Sequence, residues 1–513
     1  MRNQRINSLT QKQLEKAILE EKSRGTPDMD IGNKYGVNLR YIERVVTRAK
    51  GVNVSVFNSE KVVRALCPPD FKEEQTTVWS FKSRGSWATH SGEYRGNWSP
   101  YIPRNVILKY SKPGETVLDY FCGAGTTAVE AKLLGRKCIA LDINKDAIAM
   151  AKKNLDFTID AQQLRFIDAN ASYKVYEPEL SLGDARNLSE LGKNSVDLIC
   201  AHPPYANIIQ YTDHKEGDLS FCDIEAFLLE MKNVAEESYR VLKPARQCAI
   251  LIGDTRRKKH VVPLGFMLID VYLKAGFILR ELVIKRQHNC KTTGFWYANS
   301  IKHNFLLLAH EYLPIFEKPI RKTMAVGEKA AKYDEIFTTL EKHKKEKWRK
   351  EFETTTVWLF PEKDLNRLLD ENVIKRYYRE GGYDVINLTS GQSLRKVPGK
   401  KQRNSLVYMK SPILEDGLTI TDVEQYLDRL NAEIGDRIAD LDRGGHLVIQ
   451  TQDARVDGYI EPLAKRIFDM IKRDALSIRE VVVVTTNDKS SRQSDKYCLS
   501  INHKYLLVYE MAK

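Results

Sequence analysis

The residues best suited to chemistry form a tetrapeptide, His-Pro-Pro-Tyr, at positions 202–205. It directly follows an apolar run at positions 196–201, which predicts a buried strand. Two prolines at this place fix φ and remove two N–H donors, so the backbone carbonyls stay free to accept hydrogen bonds from a ligand. Tyr205 adds a flat ring that can stack on a planar group. The pattern therefore predicts a ligand-binding turn at the end of a strand.

A glycine-rich turn lies in the stretch VLDYFCGAGTTAVEAKLLGRKCIALDIN at residues 117–144. The pattern predicts a β-α-β unit, in which Gly123 and Gly125 let the backbone approach a ligand and the helix offers free N–H groups to an anion. Asp142 lies 19 positions beyond Gly123, where a carboxylate can bind ribose hydroxyls. Because the turn lacks the third glycine and the basic residue of pyrophosphate-binding loops, a nucleoside cofactor with a carboxylate fits better than NAD or ATP.

Two further stretches contribute candidate binding residues. Asp184, in the segment SLGDARNL, follows a strand-like run, where its carboxylate or a neighbouring N–H is placed to hold an adenine amino group. Upstream, Trp79, Trp87 and Trp98 lie among glycines in residues 76–110. These aromatic residues either flank a ligand pocket or cap the sheet, and the sequence does not separate the two.

Residues 1–55 predict a small helical segment with helix–turn–helix spacing. Apolar core positions lie on both sides of a tight turn at Gly36, namely Ile31, Tyr35, Val37, Ile42 and Val45. The second helix is expected to expose side chains that reach phosphates and base edges, namely Arg40, Tyr41, Arg44 and Arg48. The density of arginine favours DNA contact over the alternative, a helical packing module.

Composition and charge narrow the class of protein. At 513 residues the chain should hold two or three domains, and no apolar run approaches the roughly 20 residues of a membrane span. The N-terminus has no apolar segment of the kind found in secretion signals. The eight cysteines are scattered without a Cys-x-x-Cys pair, as in a reduced cytoplasmic protein without a zinc site. A net charge of +13 is compatible with a polyanionic partner.

Taken together, the segments FCGAGTT, LGDA and HPPY resemble the S-adenosylmethionine-dependent amino-methyltransferases of DNA, which modify adenine N6 or cytosine N4. The resemblance implies a Rossmann-like α/β fold in a catalytic domain at residues 68–312. Its seven-stranded sheet would be mostly parallel with an antiparallel last strand, and the late strands would lie at 247–253, 277–284 and 304–309. It implies S-adenosylmethionine as cofactor and double-stranded DNA as partner, in the bacterial cytoplasm or nucleoid. A cognate restriction endonuclease is a candidate second partner.

The resemblance also assigns roles to residues of this sequence. The cofactor would be bound by Asp119, Phe121, Gly123, Gly125 and Thr126 at its methionine end, by Asp142 at the ribose and by Asp184 at the adenine. The target base, flipped out of the duplex, would be held by His202, Pro203, Pro204 and Tyr205. Its amine would donate to the first side chain and to the Pro203 carbonyl, which directs the nitrogen lone pair at the methyl group.

The first position of the tetrapeptide departs from the family pattern. Members usually have Asp, Asn or Ser there, and this chain has His202. A neutral imidazole can accept one hydrogen bond and a protonated imidazole can accept none. The identity of the target base therefore stays open, and we expect methylation to slow below about pH 6.5, where histidine protonates.

The second half of the chain repeats the first. Residues 220–256 align with residues 419–455 without a gap. Four pairs of residues recur 199 positions apart, namely Asp223 and Asp422, Asp254 and Asp453, Arg256 and Arg455, Glu281 and Glu480. The start matches as TTVW at Thr76 and again at Thr355, and the end matches as residues 301–311 against 501–510. Coincidental α/β patterning would not keep this register.

The second copy lacks the glycine-rich turn and has KSPI where the first has HPPY. We therefore interpret residues 355–513 as a degenerate methyltransferase-like domain that serves DNA recognition or forms an intramolecular pseudo-dimer with the first. Residues 313–354 predict a basic helical linker, either a solvated face or a phosphate contact. The loop containing Lys400, Lys401 and Arg403 is expected to extend a positive groove for DNA.

Three functions of different classes follow. A site-specific DNA methyltransferase acting on an exocyclic amine, adenine N6 preferred and cytosine N4 second, accounts for every motif. An RNA amino-methyltransferase shares the cofactor turn and a similar proline loop, but the helix–turn–helix pattern disfavours it. A non-catalytic DNA-binding protein with a vestigial cofactor site is the third, and the intact cofactor stretch disfavours it.

Overall fold

The computed structural model describes most of the chain. The described residues are 10–46, 65–159, 174–205, 217–288, 294–320, 353–388, 393–396, 403–411, 418–471, 475–486 and 498–512, apart from breaks at 25, 27, 38–40, 43–44, 70, 91–93, 95 and 258. Of the predicted linker, residues 321–352 lie outside them. Within the described residues, no helix combines the length and apolarity needed to cross a membrane.

The N-terminal segment contains helices α1 (Gln11–Ser23) and α2 (Asp28–Tyr35). Thr10 caps α1, because its hydroxyl accepts a hydrogen bond from the backbone N–H of Gln13. The turn after α2 is made by Gly36, whose φ of 67° suits a residue without a side chain. The predicted core positions cluster, with the buried side chains Ile18, Ile31, Ile42 and Val45 at the centre.

The first half is built on a sheet flanked by helices. Its strands are β1 (Val78–Ser80), β2 (Thr116–Asp119), β3 (Lys137–Asp142), β4 (Glu179–Leu182), β5 (Val196–Ala201), β6 (Leu242–Ile250), β7 (Thr255–Arg257), β8 (His260–Val262), β9 (Ile278–Arg286) and β10 (His310–Glu317). The helices are α3 (Tyr101–Tyr110), α4 (Thr126–Leu133), α5 (Lys145–Leu155), α6 (Ile224–Val241), α7 (Leu264–Lys274) and α8 (Gly294–His303), with a short 3-10 helix at Leu219–Phe221.

The strand order of this sheet is β1-β9-β10-β6-β5-β2-β3-β4. Strand β10 is antiparallel to β9 and β6, and the other neighbours are parallel, so the predicted Rossmann-like arrangement is confirmed. The sheet has eight strands, because the short edge strand β1 adds to the seven expected. Alternate residues of β5 face opposite layers: Leu198 and Cys200 pack in the cluster with α3, α4 and α5, and Ile199 and Ala201 in the cluster with α6 and α7.

The prediction for the last strand was wrong. The expected strand at 304–309 is not one, and β10 covers His310–Glu317, beyond the expected domain end at 312. Pro314 hid the strand from a reading based on sequence, since proline lacks the N–H that a strand interior uses. The alignment between the ends of the two halves changes as well. His310 corresponds to His503, which is an offset of 193 residues, whereas the sequence alignment of residue 301 with residue 501 used an offset of 200.

The second half contains a second sheet. Its strands are β11 (Val357–Phe360), β12 (Gly382–Asn387), β13 (Ser393–Lys396), β14 (Asn404–Lys410), β15 (Leu441–Thr451), β16 (Ala454–Val456), β17 (Tyr459–Glu461), β18 (Leu476–Thr486) and β19 (His503–Met511), and its helices are α9 (Leu365–Tyr377), α10 (Ile420–Ile438) and α11 (Leu463–Met470), with a short 3-10 helix at Glu362–Asp364. The order is β11-β18-β19-β15-β14-β12-β13, and its first five strands follow the same path as β1-β9-β10-β6-β5.

Two buried ion pairs connect the halves in a reciprocal way. Arg256 of the first half pairs with Glu480 of the second, and Arg455 of the second pairs with Glu281 of the first. The two arginines lie 199 positions apart, as do the two glutamates. Each glutamate also accepts a backbone N–H from the other half: Leu306 N to Glu480 at 3.0 Å, and Leu499 N to Glu281 at 3.2 Å. The contact surface therefore has approximate two-fold symmetry.

Two hydrogen-bonded chains repeat the same symmetry. The hydroxyl of Thr77 lies 2.8 Å from Nδ1 of His503 in the other half, whose Nε2 lies 2.9 Å from the Tyr505 hydroxyl. In the reverse direction Thr356 bonds to His310 at 2.9 Å, and Nε2 of His310 lies 3.0 Å from the hydroxyl of its neighbour Tyr312. The start of each half is thus tied to the last strand of the other half.

We expect the loss of one partner from a reciprocal pair to destabilise the protein strongly. Arg455→Met leaves Glu281 buried without its partner, and Arg256→Met does the same to Glu480. Removing one partner of a buried pair lowers the free energy of unfolding by about 3–5 kcal/mol, and the symmetry predicts similar losses. Chemical denaturation measures both, with Arg367→Met, which breaks an exposed pair, as the control that should change little. Losses no larger than the control would contradict this account.

Candidate active site at the carboxyl edge of the first sheet

The glycine-rich turn follows β2 and begins α4. Gly123 and Gly125 have φ values of 51° and 82°, in the left-handed region that favours glycine. A Cβ at Gly125 would lie 3.0 Å from Cβ of Ala151, because α5 packs directly against the turn. A Cβ at Gly123 would lie 3.1 Å from the ring of Tyr94. Both glycines are therefore needed for the shape of the turn.

Asp142 fixes this turn from the end of β3. Its Oδ2 accepts the Gly123 N–H at 2.9 Å, and its Oδ1 accepts the Asn144 N–H at 2.8 Å. Each carboxylate oxygen has a second lone pair, so the group can hold the turn and still accept hydrogen bonds from a ligand. Asp142, the residue predicted to bind the ribose, therefore also stabilises the turn.

A cavity of about 770 Å³, including its open mouth, lies against this turn. Four of the predicted cofactor residues line it, namely Phe121, Gly123, Asp142 and Asp184. Asp119, Gly125 and Thr126 are not among the lining residues. Further lining residues come from separate loops and were not predicted, namely Tyr94, Asn97, Ile143, Ala185, Asp218 and Leu219. Ile143 and Ala185 lie inside the motifs around Asp142 and Asp184, whereas no local motif marks the other four, which the fold brings to the cavity from separate loops.

Two carboxylates of the cofactor stretch have distinct surroundings. Burial raises the pKa of Asp119 to about 7, and the negative charge of Asp142 adds to the effect although the N–H of Phe121 opposes it. Asp184 forms an ion pair with Arg186 at 2.6 Å, and Arg186 also bonds to Glu230 at 2.8 Å. The orientation of the Asp184 carboxylate is therefore fixed at the cavity wall.

A second cavity, of about 1140 Å³ including its mouth, meets the first at the His-Pro-Pro-Tyr turn. His202 lines both cavities, as do Gly96, Asn97 and Trp98. Pro204 lines the first cavity, whereas Pro203 and Tyr205 line the second. Trp79, Trp87 and Trp98, which the sequence could not assign, all belong to one buried cluster, but Trp98 also lines both cavities.

The imidazole of His202 is held on several sides. Its ring stacks on Trp98 with centroids 5.5 Å apart, and its Nε2 lies 2.8 Å from the Tyr205 hydroxyl. That hydroxyl donates to Glu311 at 2.9 Å, and Glu311 forms an ion pair with Lys285 at 2.7 Å. Sequence reading missed Glu311 and Lys285, which lie on β10 and β9, far from the tetrapeptide along the chain.

The surroundings keep His202 neutral. Burial lowers its pKa to about 4, and the positive charges of Lys285 and Arg84 act in the same direction. The carboxylate of Glu311 and the backbone of Gly96, to which the protonated ring can donate, oppose the shift without reversing it. An imidazole with this pKa is uncharged at pH 7, so one of its nitrogens carries a lone pair that can accept a hydrogen bond.

The corresponding place in the second half has different residues. Lys410 ends β14 at the position that His202 has after β5, and its Nζ pairs with Asp370 at 2.7 Å. Lys504 stands at the position of Glu311, 193 residues later. Two lysines and an ion pair thus replace the arrangement of the first half.

The predicted DNA-binding residues are mostly untested. Arg40, Arg44, Arg48, Lys400 and Lys401 lie outside the described residues. Tyr41 is partly buried and packs against the core of the N-terminal helices, so its ring is less exposed than the prediction supposed. Arg403 is exposed at the start of β14.

Comparison with known proteins places the chain in a family. The model of the N6/N4 DNA methylase family matches residues 37–153 and 196–404, which is more than half of the chain. The chain belongs to the N6/N4 DNA methylase family. A model of the RMKL-like methyltransferase domain matches residues 106–248 within the same region.

Individual relatives cover shorter parts. The type II methyltransferase M2.LlaDCHI of Lactococcus lactis subsp. cremoris is 37% identical over 87 residues, 16% of this chain and 31% of that protein. The type II methyltransferase M.MjaI of Methanocaldococcus jannaschii is 26% identical over 179 residues, 30% of this chain and 57% of that protein. The chain thus spans less than two thirds of the length of these relatives. A solved SAM-dependent methyltransferase from Methanosarcina mazei shows 16% identity and a TM-score of 0.28, covering 42% of this chain and 98% of that chain.

Asp142→Ala should weaken the binding of S-adenosylmethionine. The change removes an acceptor at the cavity wall and releases the turn at Gly123, so we expect a loss of about 1–3 kcal/mol in binding free energy, the range for hydrogen bonds to a charged group. Titration calorimetry measures it. Asp146→Ala, at a nearby carboxylate that does not line the cavity, is the control. Equal affinities of both variants for S-adenosylmethionine would show that the cofactor binds elsewhere.

The pH dependence of methylation should follow the lowered pKa of His202. An imidazole accepts hydrogen bonds only when neutral, so the rate should hold from pH 7 down to about 5 and fall as pH approaches about 4. Single-turnover rates across this range measure it, with melting curves to verify folding at each pH. A half-loss near pH 6.5, which the sequence alone suggested, would contradict the buried geometry.

Proposed function

We propose that the chain is a DNA methyltransferase that transfers a methyl group from S-adenosylmethionine to an exocyclic amine of a flipped base. The observation that carries the proposal is the meeting of two cavities at His202, one against the glycine-rich turn and one beyond the proline turn. A methyl donor in the first cavity and an amine in the second would come together at this side chain. Membership of the N6/N4 DNA methylase family supports the same reaction.

The residues of the first cavity fit the proposed cofactor. Asp142 would accept from the ribose hydroxyls, and Asp184 or the N–H of Ala185 would bind the adenine edge. Phe121 and Gly123 would line the methionine end, where the left-handed turn lets the backbone approach the ligand. The bound cofactor supplies an electrophilic methyl group on a positively charged sulfur.

The turn at 202–205 would position the amine. An exocyclic amine is a poor nucleophile, because its lone pair is delocalised into the ring of the base. Hydrogen bonds from its two N–H groups to neutral His202 and to the Pro203 carbonyl would pull the nitrogen towards tetrahedral geometry. Its lone pair would then face the first cavity, and such positioning accounts for much of a transfer rate.

The substrate follows from the family and from the rest of the chain. We infer double-stranded DNA, with adenine N6 preferred and cytosine N4 second, and base flipping into the second cavity. The N-terminal helices and the loop with Arg403 are the proposed contacts to the duplex. Type II relatives suggest a restriction endonuclease as a candidate partner in the same cell.

We further propose that residues 355–513 act as the silent member of an intramolecular pseudo-dimer. The reciprocal Arg–Glu pairs and the shared strand order support this relation. The ion pair of Lys410 with Asp370 occupies the place of a base site, so the second half would serve DNA recognition or scaffolding without catalysis.

An RNA substrate and a non-catalytic binding role are separable by experiment. Purified full-length protein with labelled S-adenosylmethionine should methylate double-stranded DNA, and nucleoside mass spectrometry should find N6-methyladenine or N4-methylcytosine. tRNA and rRNA should remain unlabelled. His202→Ala should lower the single-turnover rate while cofactor affinity, measured by calorimetry, stays nearly unchanged. Labelled RNA with unlabelled DNA would favour the RNA alternative, and cofactor binding without any transfer would favour the non-catalytic one.

A further inference from the structure

The internal repeat provides a control for deciding which buried polar networks are structural. The chain from Thr77 through His503 to Tyr505 has a matching chain from Thr356 through His310 to Tyr312 in the opposite direction. Both halves have this network, although only the first has the cavities described above. Its role is therefore in holding the halves together.

The network around His202 has no counterpart in the second half. Lys410 replaces His202, Lys504 replaces Glu311, and Val484 stands 199 residues after Lys285. These three groups are thus all different in the half without a glycine-rich turn. A network that only stabilised the sheet would be expected in both halves, as the threonine–histidine–tyrosine chains are.

A contribution to folding stability does not explain the ion pair between Lys285 and Glu311. Glu311 is buried, and burial alone would raise its pKa, but Lys285 and the hydrogen bond from Tyr205 hold the pKa below its usual range. Burying an ion pair roughly cancels its own Coulomb energy, so such a pair is weak evidence for stabilisation. The arrangement keeps an ionised carboxylate one hydroxyl away from the imidazole.

The direction of each hydrogen bond follows from these groups. An ionised Glu311 can only accept, so Tyr205 uses its single hydroxyl hydrogen to donate to it at 2.9 Å. The tyrosine oxygen must then accept from Nε2 of His202, 2.8 Å away. A neutral imidazole has one N–H, so its lone pair is on Nδ1. His202, Tyr205 and Glu311 thus form a proton relay with its acceptor at the far end.

We propose that Glu311, held in place by Lys285, takes up the proton that the target amine loses during methyl transfer. This proposal rests on the methyltransferase function proposed above. As the amine nitrogen forms its bond to the methyl carbon, the carbon–sulfur bond breaks and its electron pair stays on sulfur. The N–H proton passes to Nδ1 of His202, the Nε2 proton passes to Tyr205, and the tyrosine proton passes to Glu311.

The step balances within the site. It ends with a neutral methylated amine, a neutral thioether, a neutral His202 whose proton has moved from Nε2 to Nδ1, a neutral Tyr205 and a protonated Glu311. Glu311 and Lys285 both line the second cavity, so the proton can leave to solvent when the product departs.

The first test replaces the acceptor. Glu311→Gln keeps an oxygen that accepts from Tyr205 but cannot take up a proton, so the single-turnover rate should fall about 10²-fold, the lower end of the range for a positioned acid or base. The affinity for S-adenosylmethionine should change less than about twofold. The single-turnover rate of Tyr205→Phe, a change that breaks the relay and keeps the ring, should fall by a similar factor. The matched control is Glu317→Gln on the same strand, where the glutamate likewise accepts from a tyrosine, Tyr459 at 2.9 Å, and this variant should keep its rate.

The second test separates proton transfer from a structural role. In a His202→Asp background the new carboxylate accepts the proton directly, so adding Glu311→Gln should change the rate less than about threefold. An equal loss in both backgrounds would overturn the relay and leave Glu311 as a structural residue. If the unmodified chain transfers no methyl group to DNA, the proposed function fails instead. If the wild type is active and Glu311→Gln has the same rate, the relay is refuted and the proposed function stands.

Discussion

The structure depends on two reciprocal ion pairs, in each of which a buried glutamate of one half binds an arginine of the other half. Glu281 and Glu480 are 0% and 1% exposed, and each forms an ion pair with an arginine of the opposite half. A buried carboxylate without its partner is strongly destabilising, so neither half can bury its own glutamate alone. Glu281 lies on β9, the strand that also carries Lys285 into the second cavity. The geometry of the candidate active site therefore depends on a domain that does not contain it.

The second half keeps its contact residues although the residues at the place of the candidate site differ. The Lys410–Asp370 pair lies at the place that His202 has in the first half, and the sequence of the second half has no glycine-rich turn. The contact residues Arg455 and Glu480 nevertheless keep the register of their counterparts in the first half. The surface that faces the partner half is constrained by packing and charge even where the site is not.

Much of the site could be predicted because its signals are local. Gly123, Asp142 and the proline turn act through backbone conformation and strand ends, which short sequence patterns encode. The long-range partners could not be predicted: Glu311 reaches Tyr205 across 106 residues, and no pattern near either marks the contact. Trp98 could not be told from the core tryptophans, since only the fold decides which ring meets the cavities.

The fold was predicted to a similar extent. The mostly parallel sheet with an antiparallel last strand agrees with the expected Rossmann-like fold, because the motifs that carry the family resemblance also imply its fold. The last strand was misplaced because Pro314 interrupts it, while the apolar residues 304–309 before it resemble a strand more closely. The same error displaced the alignment of the chain ends, and the reciprocal bonds to Leu306 and Leu499 correct it.

The central claim is methyl transfer to an exocyclic amine of DNA at the junction of the two cavities. Long-read sequencing of DNA from a methylation-free host that expresses the full chain tests it most directly, because one experiment reports both the modified base and its sequence context. The account predicts N6-methyladenine, or else N4-methylcytosine, at one recurring sequence motif, and strongly reduced modification with the His202→Ala chain at equal expression. DNA without modified bases from a host that contains soluble, cofactor-binding protein would contradict it.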